Sequence, residues 1–139
     1  MKKICKVLIV EDDTDIRELL SGIFADQGYH FVMAASAAEM RSALAGDPEL
    51  DIVVVDLHLP GGTDGLVLAE EAAARGLPVI VVTGDHSRIE EIEKSGHRHM
   101  MKPYRLSTLL ELADETLKAA KAQCERLQGK ASDCNLGLQ

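Results

Sequence analysis

Short runs of apolar residues, rich in valine and isoleucine, constrain the fold of this chain more than any other feature. The run at 52–55 contains no polar residue, ends at Asp56 and is soon followed by Pro60 and two glycines. A run without polar alternation is typical of a strand buried on both faces, as in the centre of a parallel sheet. Similar runs cover 6–10 and 77–83, so the sequence predicts several such strands.

The segments between these runs show helical periodicity and helix-start signals. Ser36 and Glu39 have the spacing of a capping box that opens a second helix, and Ser87 and Glu90 predict another that opens a short fourth helix. Apolar residues of the first helix recur at helical spacing, at Ile16, Leu19, Leu20, Ile23 and Phe24. Five strands and five helices in strict alternation predict an α/β fold with a doubly wound parallel sheet.

Chemically active side chains lie where the predicted strands end. Glu11 and Asp12 follow the first strand, Asp56 ends the third, Thr83 ends the fourth, and Lys102 follows the fifth. Because ligands bind at the carboxyl ends of parallel strands, we expect these side chains to meet at one edge of the sheet. Adjacent carboxylates repel each other unless a cation neutralises them, and their oxygens suit Mg²⁺. A carboxylate nucleophile, a metal-binding acid pair, a hydroxyl and an ammonium together indicate a phosphoryl-transfer site.

This arrangement resembles the receiver domain of two-component response regulators. The resemblance runs from about Lys3 to about Ala120 and implies a flavodoxin-like sheet with strand order 2-1-3-4-5. It implies that Asp56 is the phosphoacceptor and binds Mg²⁺ together with Asp12 and the backbone carbonyl of His58. Glu11 would hold a water molecule bound to the metal.

The resemblance also implies how the site would switch. Thr83 would be the switch hydroxyl, and Lys102 would pair with the phosphoryl group and precede a cis peptide bond at Pro103. The chain departs from the family pattern at His99, where a tyrosine or phenylalanine is usual. We expect the imidazole to take over the part of that aromatic ring, with an active-state population that depends on pH between about 6 and 7.5.

The charge balance excludes two classes of partner. Lysine and arginine total 15 against 23 acidic residues, a net charge of -8. Nucleic acids and anionic membranes require a basic face, so we expect the protein to bind neither. No apolar run approaches transmembrane length, and the three cysteines form no CxxC pair, which favours a cytoplasmic protein with free thiols.

The end of the chain predicts a long last helix and a possible homodimer. We assign residues 1–127 to a receiver domain with an extended helix over 105–127, and residues 128–139 to a polar, flexible tail. Because no output domain follows, the expected protein is a stand-alone, single-domain response regulator. A seam with coiled-coil spacing favours a weak homodimer through Leu106, Leu110, Ala113, Leu117, Ala120, Cys124 and Leu127.

Such a protein would be regulatory rather than an enzyme, and a sensor histidine kinase or a histidine phosphotransfer protein would phosphorylate it. That donor is expected to dock on the first turn of helix one and on the loop at Pro103 and Tyr104; in the helix the expected contacts are Thr14, Asp15, Arg17 and Glu18. Two other functions remain open: a degenerate receiver that binds proteins without phosphorylation, and a Mg²⁺-dependent phosphohydrolase with an aspartyl nucleophile. The phosphohydrolase usually needs an acid two residues after the nucleophile, where this chain has His58. A metal site at His97 and His99 is a weaker interpretation because no third ligand is in reach.

Overall fold

The computed structural model describes the backbone of residues 4–135 and the side chains of residues 4–123. Strands and helices alternate along the chain as predicted. The strands are β1 (Lys6–Val10), β2 (His30–Ala34), β3 (Ile52–Asp56), β4 (Val79–Thr83) and β5 (Arg98–Met101). The helices are α1 (Thr14–Asp26), α2 (Ala37–Gly46), α3 (Gly65–Ala74), α4 (Ile89–Ser95) and α5 (Leu106–Asn135), and a 3₁₀ turn at His86–Arg88 leads into α4.

The five strands form one parallel sheet in the order β2-β1-β3-β4-β5, which confirms the doubly wound arrangement. Val55 of the central strand β3 lies between Val10 of β1 and Val81 of β4. Every residue of β3 and β4 is buried. Burial on both faces explains why these segments show no polar alternation.

Alternate side chains of the strands fill two apolar cores, one on each face of the sheet. One core joins Leu8 of β1 to Leu68 of α3, and the other joins Ile9 of β1 to Phe24 of α1 and Leu109 of α5. Each large side chain buried in this way stabilises the fold by about 1.5–3 kcal/mol. The two cores hold the central strands rigidly, and therefore also the residues at their ends.

Side-chain caps set where the first two helices begin. Asp13 Oδ1 accepts a hydrogen bond from the backbone N–H of Ile16 at 3.1 Å, which starts α1. Ser36 Oγ accepts one from the N–H of Glu39 at 3.2 Å, as the predicted capping box requires. The carboxylate of Glu39 accepts its return bond from the N–H of Ala35 at 2.7 Å, one residue before the position that the motif predicts.

The second predicted capping box is wrong. Ser87 was expected to cap the fourth helix and pair with Glu90, but it lies inside the 3₁₀ turn, and Asp85 Oδ1 accepts its backbone N–H at 3.0 Å. Asp85 therefore supplies the first cap, and α4 (Ile89–Ser95) begins without a side-chain cap. The helix is as short as expected, and Gly96 ends it in the left-handed conformation at φ 82°.

The last helix differs most from the prediction. It continues to Asn135, past the predicted end at Leu127 and into the segment assigned to the tail. Ala113 of the predicted seam is buried against the sheet and Ala120 is half-buried. The side chains of Cys124 and Leu127 and the tail residues 136–139 lie outside the described residues, so the coiled-coil seam and the homodimer stay predictions. Within residues 4–135, no helix combines the length and apolar character needed to cross a bilayer.

Candidate functional site

The strand ends converge on the carboxylate of Asp56, the last residue of β3, which is only 5% exposed. Lys102 donates a hydrogen bond from Nζ to Asp56 Oδ2 at 2.7 Å, and the backbone N–H of His58 donates to Oδ1 at 2.9 Å. Because β3 lies between β1 and β4, the residues that follow those strands come to either side of Asp56. The convergence is thus a direct consequence of the strand order.

Three acids from two strand ends form a cluster suited to a divalent cation. Glu11, Asp12 and Asp56 each offer one carboxylate oxygen, and these oxygens lie within 4.8 Å of one another. Glu11 and Asp56 are buried, whereas Asp12 is exposed. A set of oxygen donors that combines buried acids with an open side fits Mg²⁺, which keeps several of its own water molecules when it binds to proteins.

The protonation of the two buried acids shows how much this cluster requires positive charge. Burial, followed by the hydrogen bond and negative charge of Asp56, raises the pKa of Glu11 to about 8. Burial acts in the same sense on Asp56, but hydrogen bonds from Glu11, Lys102 and the N–H of His58 outweigh it and lower the pKa of that carboxyl. Two negative charges on this buried pair are therefore disfavoured, and a bound cation would offset them.

Lys102 supplies the permanent positive charge of the site. Burial opposes its ionisation, but the hydrogen bond and charge of Asp56 outweigh burial and raise the pKa of Lys102. The lysine side chain is 35% exposed, so the residue that pairs with the buried aspartate remains in contact with solvent. The next peptide bond, Lys102–Pro103, is cis as the resemblance implied.

Thr83 is fully buried at the end of β4, and its hydroxyl already has a partner. Thr83 Oγ1 accepts a hydrogen bond from the backbone N–H of Asp85 at 3.0 Å. Across the mouth, His58 Nε2 lies 3.6 Å from Asp85 Oδ2. The segment after β4 is therefore anchored to the hydroxyl and lies near the loop after Asp56.

An arginine that the sequence analysis did not single out ties the two loops together. Asp64 caps α3, and Arg88 binds its carboxylate through two nitrogens at 2.8 and 2.6 Å. Arg88 also pairs with Glu91, and its side chain is only 20% exposed. Arg88 is the main reason that the pKa of Asp64 lies below its ordinary value. The β3–α3 loop and the start of α4 are thus coupled through one guanidinium.

A second arginine contact was also missed. Arg17 lies in the first turns of α1, and its Nη1 donates hydrogen bonds to the backbone carbonyls of Glu11 at 2.8 Å and Asp12 at 3.3 Å. The sequence placed Arg17 among residues that would dock a phosphodonor. Its position one turn after Asp13 was the signal that it can reach back over the acidic loop.

The two histidines near the fifth strand have separate surroundings. His99 is half-buried in β5 and pairs in register with Val81, and its part in switching stays a prediction. His97 Nε2 lies 2.9 Å from Glu70 Oε1 of α3. Among the described residues, the acid cluster around Asp56 is the one group of three or more potential metal ligands, and it contains neither histidine.

A model of the response regulator receiver domain matches residues 7–114. The match covers most of the chain, and the protein therefore belongs to the response regulator receiver domain family. Receiver domains of this family are parts of two-component systems, are typically phosphorylated and generally depend on Mg²⁺.

Curated relatives and solved structures agree with this assignment. The transcriptional regulatory protein AruR of Pseudomonas aeruginosa is 31% identical over 130 residues, which span 87% of this chain and 52% of AruR. A putative response regulator NtrX-like of Rickettsia bellii is 30% identical over 132 residues, which span 90% of this chain and 27% of that protein. The chain thus spans about half the length, or less, of these curated relatives.

Among solved structures, a CheY-like response regulator receiver domain protein from Methanospirillum hungatei has a TM-score of 0.79 at 28% identity, covering 87% of this chain and 99% of that chain. NtrX from Brucella abortus has a TM-score of 0.80 at 28% identity, covering 91% of this chain and 29% of that chain. Both confirm the receiver-type α/β fold.

Proposed function

We propose that this protein accepts a phosphoryl group on Asp56 in a Mg²⁺-dependent reaction and signals through the change that follows. The observation that carries the proposal is the setting of the Asp56 carboxylate. It is buried, paired with Lys102 Nζ at 2.7 Å and clustered with two further acids within 4.8 Å. A nucleophilic carboxylate between an ammonium and a cation-binding cluster is the arrangement that phosphoryl transfer requires.

The proposed metal ligands are Asp12, Asp56 and the backbone carbonyl of His58, with Glu11 holding a metal-bound water. Bound there, Mg²⁺ supplies the positive charge that lets an anionic phosphodonor approach three carboxylates. The bound cation would favour the ionised form of Glu11. The N–H of His58, which donates to Asp56 Oδ1 at 2.9 Å, keeps the nucleophilic carboxylate in one orientation.

In the transfer itself, a carboxylate oxygen of Asp56 attacks the phosphorus of a phosphohistidine. The new oxygen–phosphorus bond forms as the phosphorus–nitrogen bond breaks, and the departing imidazole keeps the electron pair and takes up a proton from solvent. The ammonium of Lys102 already donates a hydrogen bond to Asp56, and it is placed to donate to a phosphoryl oxygen instead after the transfer. Lys102 offsets part of the charge that the new phosphoryl group brings.

The switch is proposed to run through Thr83. Its hydroxyl accepts the N–H of Asp85 at 3.0 Å in the unphosphorylated protein, and it would donate to a phosphoryl oxygen after transfer. That movement would draw the segment after β4 toward the site. It would also shift the equilibrium between the inactive and active conformations at β5, where His99 replaces the usual aromatic residue. The phosphorylated form would then bind a partner or pass the phosphoryl group on.

The proposed donor is a sensor histidine kinase or a histidine phosphotransfer protein that docks beside the first turn of α1 and the β5–α5 loop, because both flank the site. The net charge of -8 supports a protein partner rather than nucleic acid or a membrane. A cytoplasmic location is part of the proposal. A regulatory role rather than an enzymatic one is part of the proposal. The stand-alone form of the regulator stays a prediction.

The two other candidate functions receive less support. A receiver that works without phosphorylation has no need to keep Glu11, Asp12, Thr83 and Lys102 assembled around Asp56. A phosphohydrolase needs an acid two residues after its nucleophile, whereas His58 is exposed and its imidazole lies toward Asp85. Neither alternative accounts for the complete set at the sheet edge.

Intact-mass analysis tests the proposal. After incubation with Mg²⁺ and acetyl phosphate, the wild-type chain should gain the mass of one phosphoryl group. Asp56→Asn, which keeps the shape but removes the nucleophile, should gain none, and neither should the wild type in excess EDTA. Persistent labelling of Asp56→Asn, or full labelling in EDTA, contradicts the assignment.

A further inference from the structure

The acidic loop between β1 and α1 is held at both ends by its own backbone and side chains. The N–H of Glu11 donates to the carbonyl of Ala34 in β2 at 3.0 Å. At the other end, Asp13 caps α1 by accepting the N–H of Ile16 at 3.1 Å. These two contacts fix where the loop leaves β1 and where it enters α1, but they leave the backbone of Asp12 to be set by other contacts.

Arg17 supplies the contact at that middle position. Its Nη1 donates to the carbonyl of Glu11 at 2.8 Å and to the carbonyl of Asp12 at 3.3 Å. These carbonyls belong to the two peptide planes that flank the Cα atom of Asp12. Rotation of those planes about the Cα atom is what φ and ψ describe, so a donor that holds both planes restricts both soft dihedrals of Asp12. The direction of the Cα–Cβ bond of Asp12, from which its carboxylate extends, follows from them.

We propose that Arg17 is a positioning residue that orients Asp12 for metal binding. The inference rests on the proposed Mg²⁺ site and assigns Arg17 no contact with the metal. Two effects of the guanidinium oppose each other: it holds the ligand in place, and its charge repels a divalent cation. Asp12 lies at the exposed rim of the cluster, where water weakens that repulsion. Orientation therefore dominates, and loss of Arg17 weakens Mg²⁺ binding.

Whether loss of Arg17 weakens or strengthens Mg²⁺ binding shows which of the two effects dominates. Arg17→Met keeps most of the side-chain volume but removes both the donor and the charge. Arg17→Lys keeps the charge and offers a single-point donor. The matched control is Arg75→Met. Arg75 also donates to a backbone carbonyl, that of Leu44 at 3.1 Å, but this contact joins the C-terminal ends of α3 and α2, away from Asp12.

The measurement is a Mg²⁺ titration of the full chain, followed by amide chemical shifts in ¹⁵N–¹H NMR spectra, with the melting temperature in EDTA recorded for each variant. We expect Arg17→Met to bind Mg²⁺ roughly tenfold more weakly, the low end for partners that orient metal ligands. Arg17→Lys should recover part of that loss, and Arg75→Met should bind as the wild type does. At saturating Mg²⁺, the amide shift changes of Asp56 and Thr83 in Arg17→Met should match those of the wild type, which a general disturbance of the site would not allow.

Equal or tighter Mg²⁺ binding by Arg17→Met overturns the proposal, because it shows that the orienting effect of Arg17 does not exceed its repulsion of the cation. If Arg17→Met does not fold, Arg17→Gln replaces it. Its side chain is neutral and shorter than that of arginine, and it suits a helix about as well as arginine does. Unchanged affinity in that variant overturns the proposal equally. A wild-type chain that binds no Mg²⁺ refutes the proposed metal site itself. That outcome differs from the one that refutes only the role of Arg17, in which the wild type and the Arg17 variant bind Mg²⁺ equally well.

Discussion

Gly65, the first residue of α3, sits where the helix approaches Asp56 and Leu57, at the end of β3, too closely for a side chain. A Cβ atom at this position would lie 2.5 Å from Leu57 Cα, 2.6 Å from the carbonyl oxygen of Asp56 and 2.8 Å from that of Leu57. All three are backbone atoms that no rotamer change can move. The N–H of Gly65 also donates to the carbonyl of Leu57 at 2.9 Å, which holds the two segments at this separation.

Gly65→Ala should therefore destabilise the protein although alanine is the better helix former. Carbon atoms pack best at about 3.5–4.0 Å, so the start of α3 must move away from Leu57 by about 1 Å. Such overpacking costs about 1–3 kcal/mol, and stretching the backbone hydrogen bond adds about 0.5–1.5 kcal/mol. The helix-propensity gain, about 1 kcal/mol in a helix interior and smaller at its first residue, offsets only part of this. We expect a net loss of about 1–3 kcal/mol in the free energy of unfolding.

Urea unfolding followed by far-UV circular dichroism measures this loss, and Gly22→Ala is the matched control. Gly22 lies inside α1 with nothing within 4 Å of its would-be Cβ atom, so its substitution should raise the free energy of unfolding by about 0.5–1 kcal/mol. Because the displaced backbone adjoins Asp56, Gly65→Ala should also slow phosphorylation at saturating Mg²⁺. If Gly65→Ala is as stable as the wild type while Gly22→Ala is stabilised as expected, the argument from close approach fails.

Three further predictions concern the acid cluster, the arginine that joins the loops, and the last helix. Burial and Asp56 raise the pKa of Glu11 from 4.5 to about 8, so its contribution to stability is complete only below the unfolded-state value and is lost as the pH rises through the folded-state value. The Mg²⁺-free protein should therefore have a lower melting temperature and a lower free energy of unfolding near pH 8 than near pH 6. Glu11→Gln should remove about 1–2 kcal/mol of that loss in the free energy of unfolding. An unchanged pH profile in Glu11→Gln would refute this. Arg88→Ala should reduce the free energy of unfolding by about 1–2 kcal/mol at neutral pH. Because Arg88 lowers the pKa of Asp64, the difference from wild type should disappear as the pH falls through the folded-state pKa of Asp64, and a pH series of urea melts that shows a constant difference contradicts the ion pair. Truncation after Ala119 should abolish self-association. Sedimentation of the full chain and of the truncated chain, each with and without beryllofluoride, measures this. A full chain that is monomeric at about 50 µM with and without beryllofluoride excludes the dimer.

The sequence predicted the sheet and the position of the site because both depend on burial and strand order. A strand buried on both faces must be apolar throughout, so β3 and β4 were visible as uninterrupted runs. The polar residues at strand ends then follow from parallel pairing, which brings Asp56, Thr83 and Lys102 to one edge whatever the details of the loops. The strand order itself came from the family resemblance, since strict alternation is compatible with several orders.

The sequence could not predict contacts that depend on the path of a loop or on competition between similar residues. Arg17 and Arg88 are long side chains whose partners lie on loops, and spacing alone does not show which acid or carbonyl each one reaches. Asp85 and Ser87 are both good helix caps, and the 3₁₀ turn before α4 decides between them. The continuation of α5 beyond Leu127 was missed because a polar composition favours a tail yet does not prevent a helix.

The most direct test of the central claim is to locate the phosphoryl group on Asp56 chemically. The wild-type chain is phosphorylated with acetyl phosphate and Mg²⁺, reduced with sodium borodeuteride and digested with trypsin. An acyl phosphate is reduced to an alcohol, so the peptide of residues 42–75 should carry deuterated homoserine in place of Asp56. Deuterium at any other residue, or an intact phosphate that survives reduction on a hydroxyl side chain, contradicts the assignment of Asp56 as the phosphoacceptor.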